Sequence, residues 1–282
     1  MNTSPILIED DNLSNAWLQI LKLLISSKDG EISPLVLSLT TFEETESIKS
    51  TLENNIREKN ESSNKKKRLP EIQTVAETIF PQSIYEQVHY DRAKLYELYK
   101  KNLQRFKKLD PSNRKGTYFS RMIAFGEGES SKNQLEIIIS ALIEEKKSPR
   151  RSKLQAAIFD PFLDHSNSAM QGFPCLQHVT FVKTKNGGLI LNSFYAIQFF
   201  YKRAYGNWLG LINLGKFVAK ESGLKFERFN CFIGAEALES QNISKGEAKK
   251  LLENINAKTT ASLTLPTLKQ NIEEIYFEKT RA

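Results

Sequence analysis

Along residues 13–27 the apolar side chains Ala16, Trp17, Ile20, Leu21 and Leu24 fall at the spacing of one helix face, with Asn12 or Ser14 placed to cap the start. The period then changes. Residues 34–42 are rich in strand formers behind a Gly/Pro turn signal and predict a strand. A polar run over 58–70 follows, then a short helical stretch at 75–80 ended by Pro81 and a long helix predicted from Ile84 to Lys107. After the turn cluster at 110–116, residues 117–124 read as a strand approaching the core. Leu135, Ile138, Ile139 and Leu142 predict an amphipathic helix over 133–145. Residues 154–159 and 178–183 predict strands flanking a loop, and 188–200 one long apolar strand. An apolar helix over 207–222 stops at Gly223, a strand follows at 226–233, and a short helix at 245–256. Strands and helices mix without a regular βαβ alternation, which predicts an α+β fold with one sheet. The expected organisation is an N-terminal helix-and-strand region (1–58), a flexible basic loop (59–70) and a core (71–282), all within one domain.

Composition adds limits. The 282 residues are 40% hydrophobic and 26% charged, the balance of a globular protein. No run approaches the ~18 apolar residues of a membrane span, and residues 1–11 lack a basic stretch followed by an apolar one. Two cysteines, Cys175 and Cys231, are too few for a disulfide framework or a structural zinc site, so a reducing cytoplasm is the expected location. The net charge of +7 suits anionic ligands. Part of it lies in Lys65–Arg68, which lacks the aromatic interleaving of a nucleic-acid arm and reads as a solvated loop. His165 and His178 have no Cys–His spacing, and no metal is expected.

Three successive pieces resemble the thymidylate synthase family, which includes deoxycytidylate hydroxymethylases. They are Asn133-Gln134 opening a helix with Arg150-Arg151 and Asp160-Pro161 after it; Phe173-Pro174-Cys175-Leu176-Gln177-His178 running into a strand; and the strand, turn, Asn207 and helix between Leu189 and Leu224. The resemblance covers roughly residues 117–240. It implies a thymidylate-synthase-like α+β fold, with one large mixed sheet covered by helices on one face and a homodimer interface on the other. It also implies C5 methyl or hydroxymethyl transfer to a pyrimidine nucleotide, with 5,10-methylenetetrahydrofolate as the reduced-folate donor. In such chemistry a thiolate adds to ring C6 and activates C5, so Cys175 is the expected nucleophile.

Asn207 aligns with the family's base-reading amide, whose donor and acceptor suit a ring edge; a helix cap is its other reading. Arg150 and Arg151 align with a pair that reaches the partner subunit's phosphate site. Glu77 aligns with an acid near the folate, though a surface glutamate is the simpler reading. Tyr118 resembles a segment approaching the family's pocket, though core packing is the reading expected for it. Cys231, inside an apolar strand, reads as core.

Departures are equally specific. Ala196 and Ile197 stand where the family has its phosphate-binding Arg-Ser, Phe199 replaces an Asp, and Ala237 and Glu239 replace the His and Tyr that hold the ribose. Arg203, four residues before Asn207, is the expected substitute cation. Positions three apart on a strand face oppositely, so His178 is expected as a supporting or core residue, not as a base for Cys175. An inactive nucleotide-binding or scaffold protein is the alternative function.

Overall fold

The computed structural model describes residues 4–62, 68–110, 113–126, 128–144, 149–168 and 174–260. Its centre is a six-stranded mixed sheet, ordered β1-β3-β8-β6-β5-β4. These are β1 (Ile6–Asn12), β3 (Leu35–Glu43), β4 (Gln155–Ala157), β5 (Leu176–Lys183), β6 (Gly188–Tyr195) and β8 (Lys225–Ile233). β1 runs parallel to β3 and β6 parallel to β8, and the other neighbours are antiparallel. A small second sheet orders β2 (Glu31–Ile32), β9 (Glu236–Ala237) and β7 (Gln198–Phe199).

Alternation decides which face is buried. Leu35, Leu37 and Leu39 on β3 register with Ile233, Cys231 and Phe229 on β8, and all six are fully buried. The intervening positions Val36, Asn230, Phe232, Asn192, Phe194 and Thr180 are half-buried or exposed, as the two-residue period requires. On this open face His178, Phe194 and Phe232 form a stacked ladder, with centroids 5.8 and 5.5 Å apart. Beside it Asn230 donates to Asn192 (2.8 Å) and accepts from Ser38 (2.9 Å).

The buried face carries the helices. α1 (Leu13–Ser26) is capped by Asn12, whose side chain accepts from the Asn15 N–H. It buries Trp17 against Phe200, with rings stacked at 4.9 Å. α9 (Tyr205–Glu221) spans the parallel pair β6 and β8. Gly206 and Gly210 let α3 (Ile72–Glu77) lie directly on it: a Cβ on Gly206 would sit 2.6 Å from the Ile72 carbonyl oxygen, and one on Gly210 2.7 Å from that of Ala76.

Several expectations change. The long helix from Ile84 breaks into α4 (Gln82–Gln87) and α5 (Arg92–Leu109), because His89 and Tyr90 take left-handed backbone angles and Asp91 then caps α5. Residues 117–124 are not a strand but helix α6 (Tyr118–Ile123), set by a capping box in which Thr117 and Ser120 satisfy each other's backbone N–H groups. The strand expected over 188–200 turns after Tyr195, where the Ala196 N–H leaves the ladder for the Cys175 carbonyl. β1 and α2 (Glu46–Ser62) were not anticipated, and α2 takes in the first residues of the expected loop at 59–70. Lys65, Lys66 and Lys67 lie outside the described residues. A helix over 245–260 follows β9. Among the described residues no helix is long and apolar enough to cross a membrane.

Candidate active site around Cys175

Cys175 sits just before β5, half-buried, with its carbonyl held by the Ala196 N–H (3.1 Å) and the Gln177 side chain (3.2 Å). Tyr118, the first residue of α6, closes over it: the phenol oxygen accepts from the backbone N–H groups of Leu176 and Cys175, while burial pushes its pKa up. Arg203 acts on the thiol electrostatically from a π-helical turn at Phe200–Ala204 that leads into α9. Such turns are rare and concentrate at functional sites. This one is fixed by Glu239, whose carboxylate accepts from the N–H groups of Tyr201 (3.2 Å) and Lys202 (2.9 Å).

Burial raises the Cys175 pKa above the usual thiol value, and Arg203, then Lys202, pull it partly back. At neutral pH the resting group is therefore a protonated thiol beside two cations. Among the described residues Arg203 has no ion-pair partner, and the Asn207 carboxamide one turn later makes no hydrogen bond although the residue is only 4% exposed. Asn207 lies within the first turn of α9 and caps nothing.

Arg203 also borders a largely apolar cavity of about 370 Å³ between α3, α4 and α5, whose walls include Thr74, Glu77, Tyr99, Phe106 and Thr117. The Glu77 carboxylate is committed elsewhere, accepting from Gln73 (2.9 Å) and from the Ser83 N–H (3.1 Å) and hydroxyl (2.8 Å), so it ties α3 to α4.

A buried ion pair supports α6 from below. Arg121 meets Asp164, at the end of α8 (Pro161–Asp164), through two bonds of 2.5 and 2.8 Å, and also donates to the carbonyls of Ile158 and Lys115. Gln134, at the start of α7 (Gln134–Ile143), bonds reciprocally to the Ala157 backbone (2.8 and 2.9 Å) and donates to the Arg121 carbonyl. Tyr118 is thereby fixed relative to β4 and β5.

The other expected residues lie apart. Arg150 and Arg151 are exposed before β4, at the Lys183 end of β5, opposite Cys175. His178 is neither core nor a partner of the thiol: it is exposed on the open sheet face. His165 is exposed and edge-on to Phe159. Cys231 is fully buried, and burial drives its pKa far up. Among the described residues no three His, Cys, Asp or Glu side chains gather as a metal site would require. Gln198 and Glu236 face each other across β7 and β9, both buried and without hydrogen-bond partners for their side-chain polar atoms; burial, then the nearby Glu239, raise the Glu236 pKa well above the carboxylate range.

Compared with models of known protein families the chain matches none, and no curated protein matches it. The structure brings Cys175 and Arg203, both candidates from the sequence, together with Tyr118, which was expected as core packing; Glu239, which holds the turn carrying Arg203, was not foreseen. The signal available for Tyr118 was Thr117, a capping residue at the mouth of a helix that was read as a strand.

Proposed function

We propose that the chain is a divergent thymidylate-synthase-like enzyme that transfers a methyl or hydroxymethyl group to C5 of a pyrimidine nucleotide through Cys175. The observation that carries this reading is the convergence of the Cys175 thiol, the Tyr118 phenol and Arg203, which has no ion-pair partner among the described residues and also borders a cavity. A guanidinium there suits an anionic substrate group, replacing the cation lost at Ala196. The Asn207 amide reads the base edge. The Cys175 thiol loses its proton to solvent as the sulfur adds to C6 and the C5–C6 electron pair moves into the ring, where the O–H of the neutral Tyr118 phenol can donate to the developing negative charge. The cavity's apolar walls suit the flat ring of a reduced folate, which when bound supplies the one-carbon unit; Thr74, Tyr99 and Phe106 would line it. The open sheet face, with its aromatic ladder and exposed Phe232, suits packing against a second copy. Arg150 and Arg151, exposed beyond the sheet edge, would then serve the partner's site.

Incubation with 5-fluoro-dUMP or 5-fluoro-dCMP, with and without methylenetetrahydrofolate, tests the chemistry. Intact-mass spectrometry should show a covalent adduct at Cys175 that Cys175→Ala lacks. Absence of adduct with every pyrimidine tried would refute catalysis. The raised thiol pKa favours a second reading, a nucleotide-binding protein without turnover. That reading requires saturable pyrimidine binding with no adduct.

A further inference from the structure

The charge of this chain is concentrated. Residues 92–116 carry nine Lys or Arg against two Asp or Glu, so one segment holds the whole net charge of +7 and the remainder is balanced. Arg92 is committed to Glu136 and Glu221, and Lys94 to Asp91. The other seven, Lys100, Lys101, Arg105, Lys107, Lys108, Arg114 and Lys115, have no ion-pair partner among the described residues, and all but Lys107 are exposed.

The helical ones lie on the exposed face of α5, and none of the seven lines the cavity that Arg203 borders. Tyr99, Phe106, Leu109, Asp110 and Asn113 from the same segment line that cavity together with Arg203, and Leu109 is 72% exposed. One nucleotide phosphate cannot use such an array. Lys100 to Lys108 alone spans about 12 Å of helix, beyond the ~8 Å over which exposed charges act at physiological salt. A row of exposed cations of this length, with the exposed Leu109 at its end, fits a row of phosphates along a strand.

We propose that the C-terminal half of α5 and the turn at 113–115 bind single-stranded nucleic acid, with one pyrimidine of the strand reaching Cys175 past Arg203. The inference rests on the proposed pyrimidine site at Cys175 and Arg203, and it makes a base within a strand the substrate.

Fluorescence anisotropy with a labelled oligodeoxyuridine of about 20 nucleotides, and calorimetry with dUMP, test it on the whole chain. The oligonucleotide should bind at least ~10-fold tighter than dUMP at low salt. With a slope near −0.7 per phosphate contact, four contacts predict an affinity loss of about 50-fold between 50 and 200 mM NaCl. Combined Lys100→Gln, Lys101→Gln, Arg105→Gln and Lys108→Gln should weaken oligonucleotide binding at least ~10-fold and leave dUMP binding unchanged. Lys249→Gln with Lys250→Gln, on the helix over 245–260, should change neither.

Wild-type oligonucleotide affinity in the α5 variant would overturn the inference, as would an equal loss in the 249/250 control. Equal displacement of the oligonucleotide by polyglutamate would overturn it too, since the surface would then select only charge. If dUMP binds and 5-fluoro-dUMP reacts while the oligonucleotide binds no tighter, the strand inference fails and the pyrimidine chemistry stands. If the oligonucleotide binds through α5 but no pyrimidine reacts at Cys175, the proposed chemistry fails, and with it the entry of a base beside Arg203.

Discussion

Replacing Asp164 by Asn removes the anion from a guanidinium that has little access to water. The Asp164 side chain is fully buried and that of Arg121 is 7% exposed, and they meet through bonds of 2.5 and 2.8 Å. The same carboxylate accepts the Asp160 N–H at 2.9 Å. Asn keeps the shape but turns an NH₂ toward a donor and leaves the cation uncompensated. Breaking a buried pair from one side costs about 3–5 kcal/mol. Arg121 retains the carbonyls of Ile158 (2.9 Å) and Lys115 (3.2 Å), which places the expected loss near about 3 kcal/mol. For a urea slope of about 3 kcal/mol/M the unfolding midpoint should fall by roughly 1 M. Because the pair anchors the helix that carries Tyr118, thiol alkylation at Cys175 under native conditions should change as well. Replacing both partners, as Arg121→Met with Asp164→Leu, should cost less than Asp164→Asn alone, since no charge is then left buried. A loss below about 1 kcal/mol in Asp164→Asn, or a double variant less stable than the single one, would show that the ion pair is not what holds α6.

Three further outcomes are expected. Gly210→Ala should destabilise the protein by about 1–3 kcal/mol in a thermal scan, because the new methyl meets the Ala76 carbonyl at 2.7 Å and backbone cannot rotate away; an unchanged Tm would mean that α3 moves freely on α9. Arg203→Gln should raise the Cys175 pKa, seen as slower iodoacetamide modification at pH 8 with the pH profile moved upward; an unmoved profile would separate the cation from the thiol. Glu236→Gln should stabilise the protein at neutral pH: its folded-state pKa lies above the unfolded value, so the stability that its protonated form contributes is complete below about pH 4.5 and is lost as pH rises toward the folded pKa. The gap between variant and parent should therefore close as pH falls toward 4, and a gap that is constant with pH would contradict the burial argument.

The elements that the sequence made legible are those whose signals are local. Asn12 caps α1 by bonding three residues ahead, and Gly223 follows α9 where the left-handed angle is needed. α2 escaped notice because its buried stripe is only Ile48, Thr51, Leu52 and Ile56 in a strongly polar helix. β1 escaped because acidic residues interrupt it and its pairing is with β3, across the whole of α1. Residues 117–124 misled because Phe119, Met122 and Ile123 satisfy a helical period while the bulky residues suggest a strand; the capping box and the distant Asp164 decide between them. The site followed the same rule. Cys175 was visible in its own motif, whereas Tyr118 reaches it only because a buried ion pair and Gln134 bring two distant segments together.

The position of β8 has a consequence for synthesis on the ribosome. It is the last strand of the large sheet in the chain, yet it lies between β3 and β6. The first two strands and the β4–β5–β6 meander can each pair as they emerge, but nothing joins them until residues 225–233 leave the exit tunnel. Until then the nascent chain presents two bare strand edges, on β3 and on β6, together with the apolar face of α9 that should cover the junction. Translation pauses before that point would prolong the exposure and favour chaperone capture, whereas pauses after it would not.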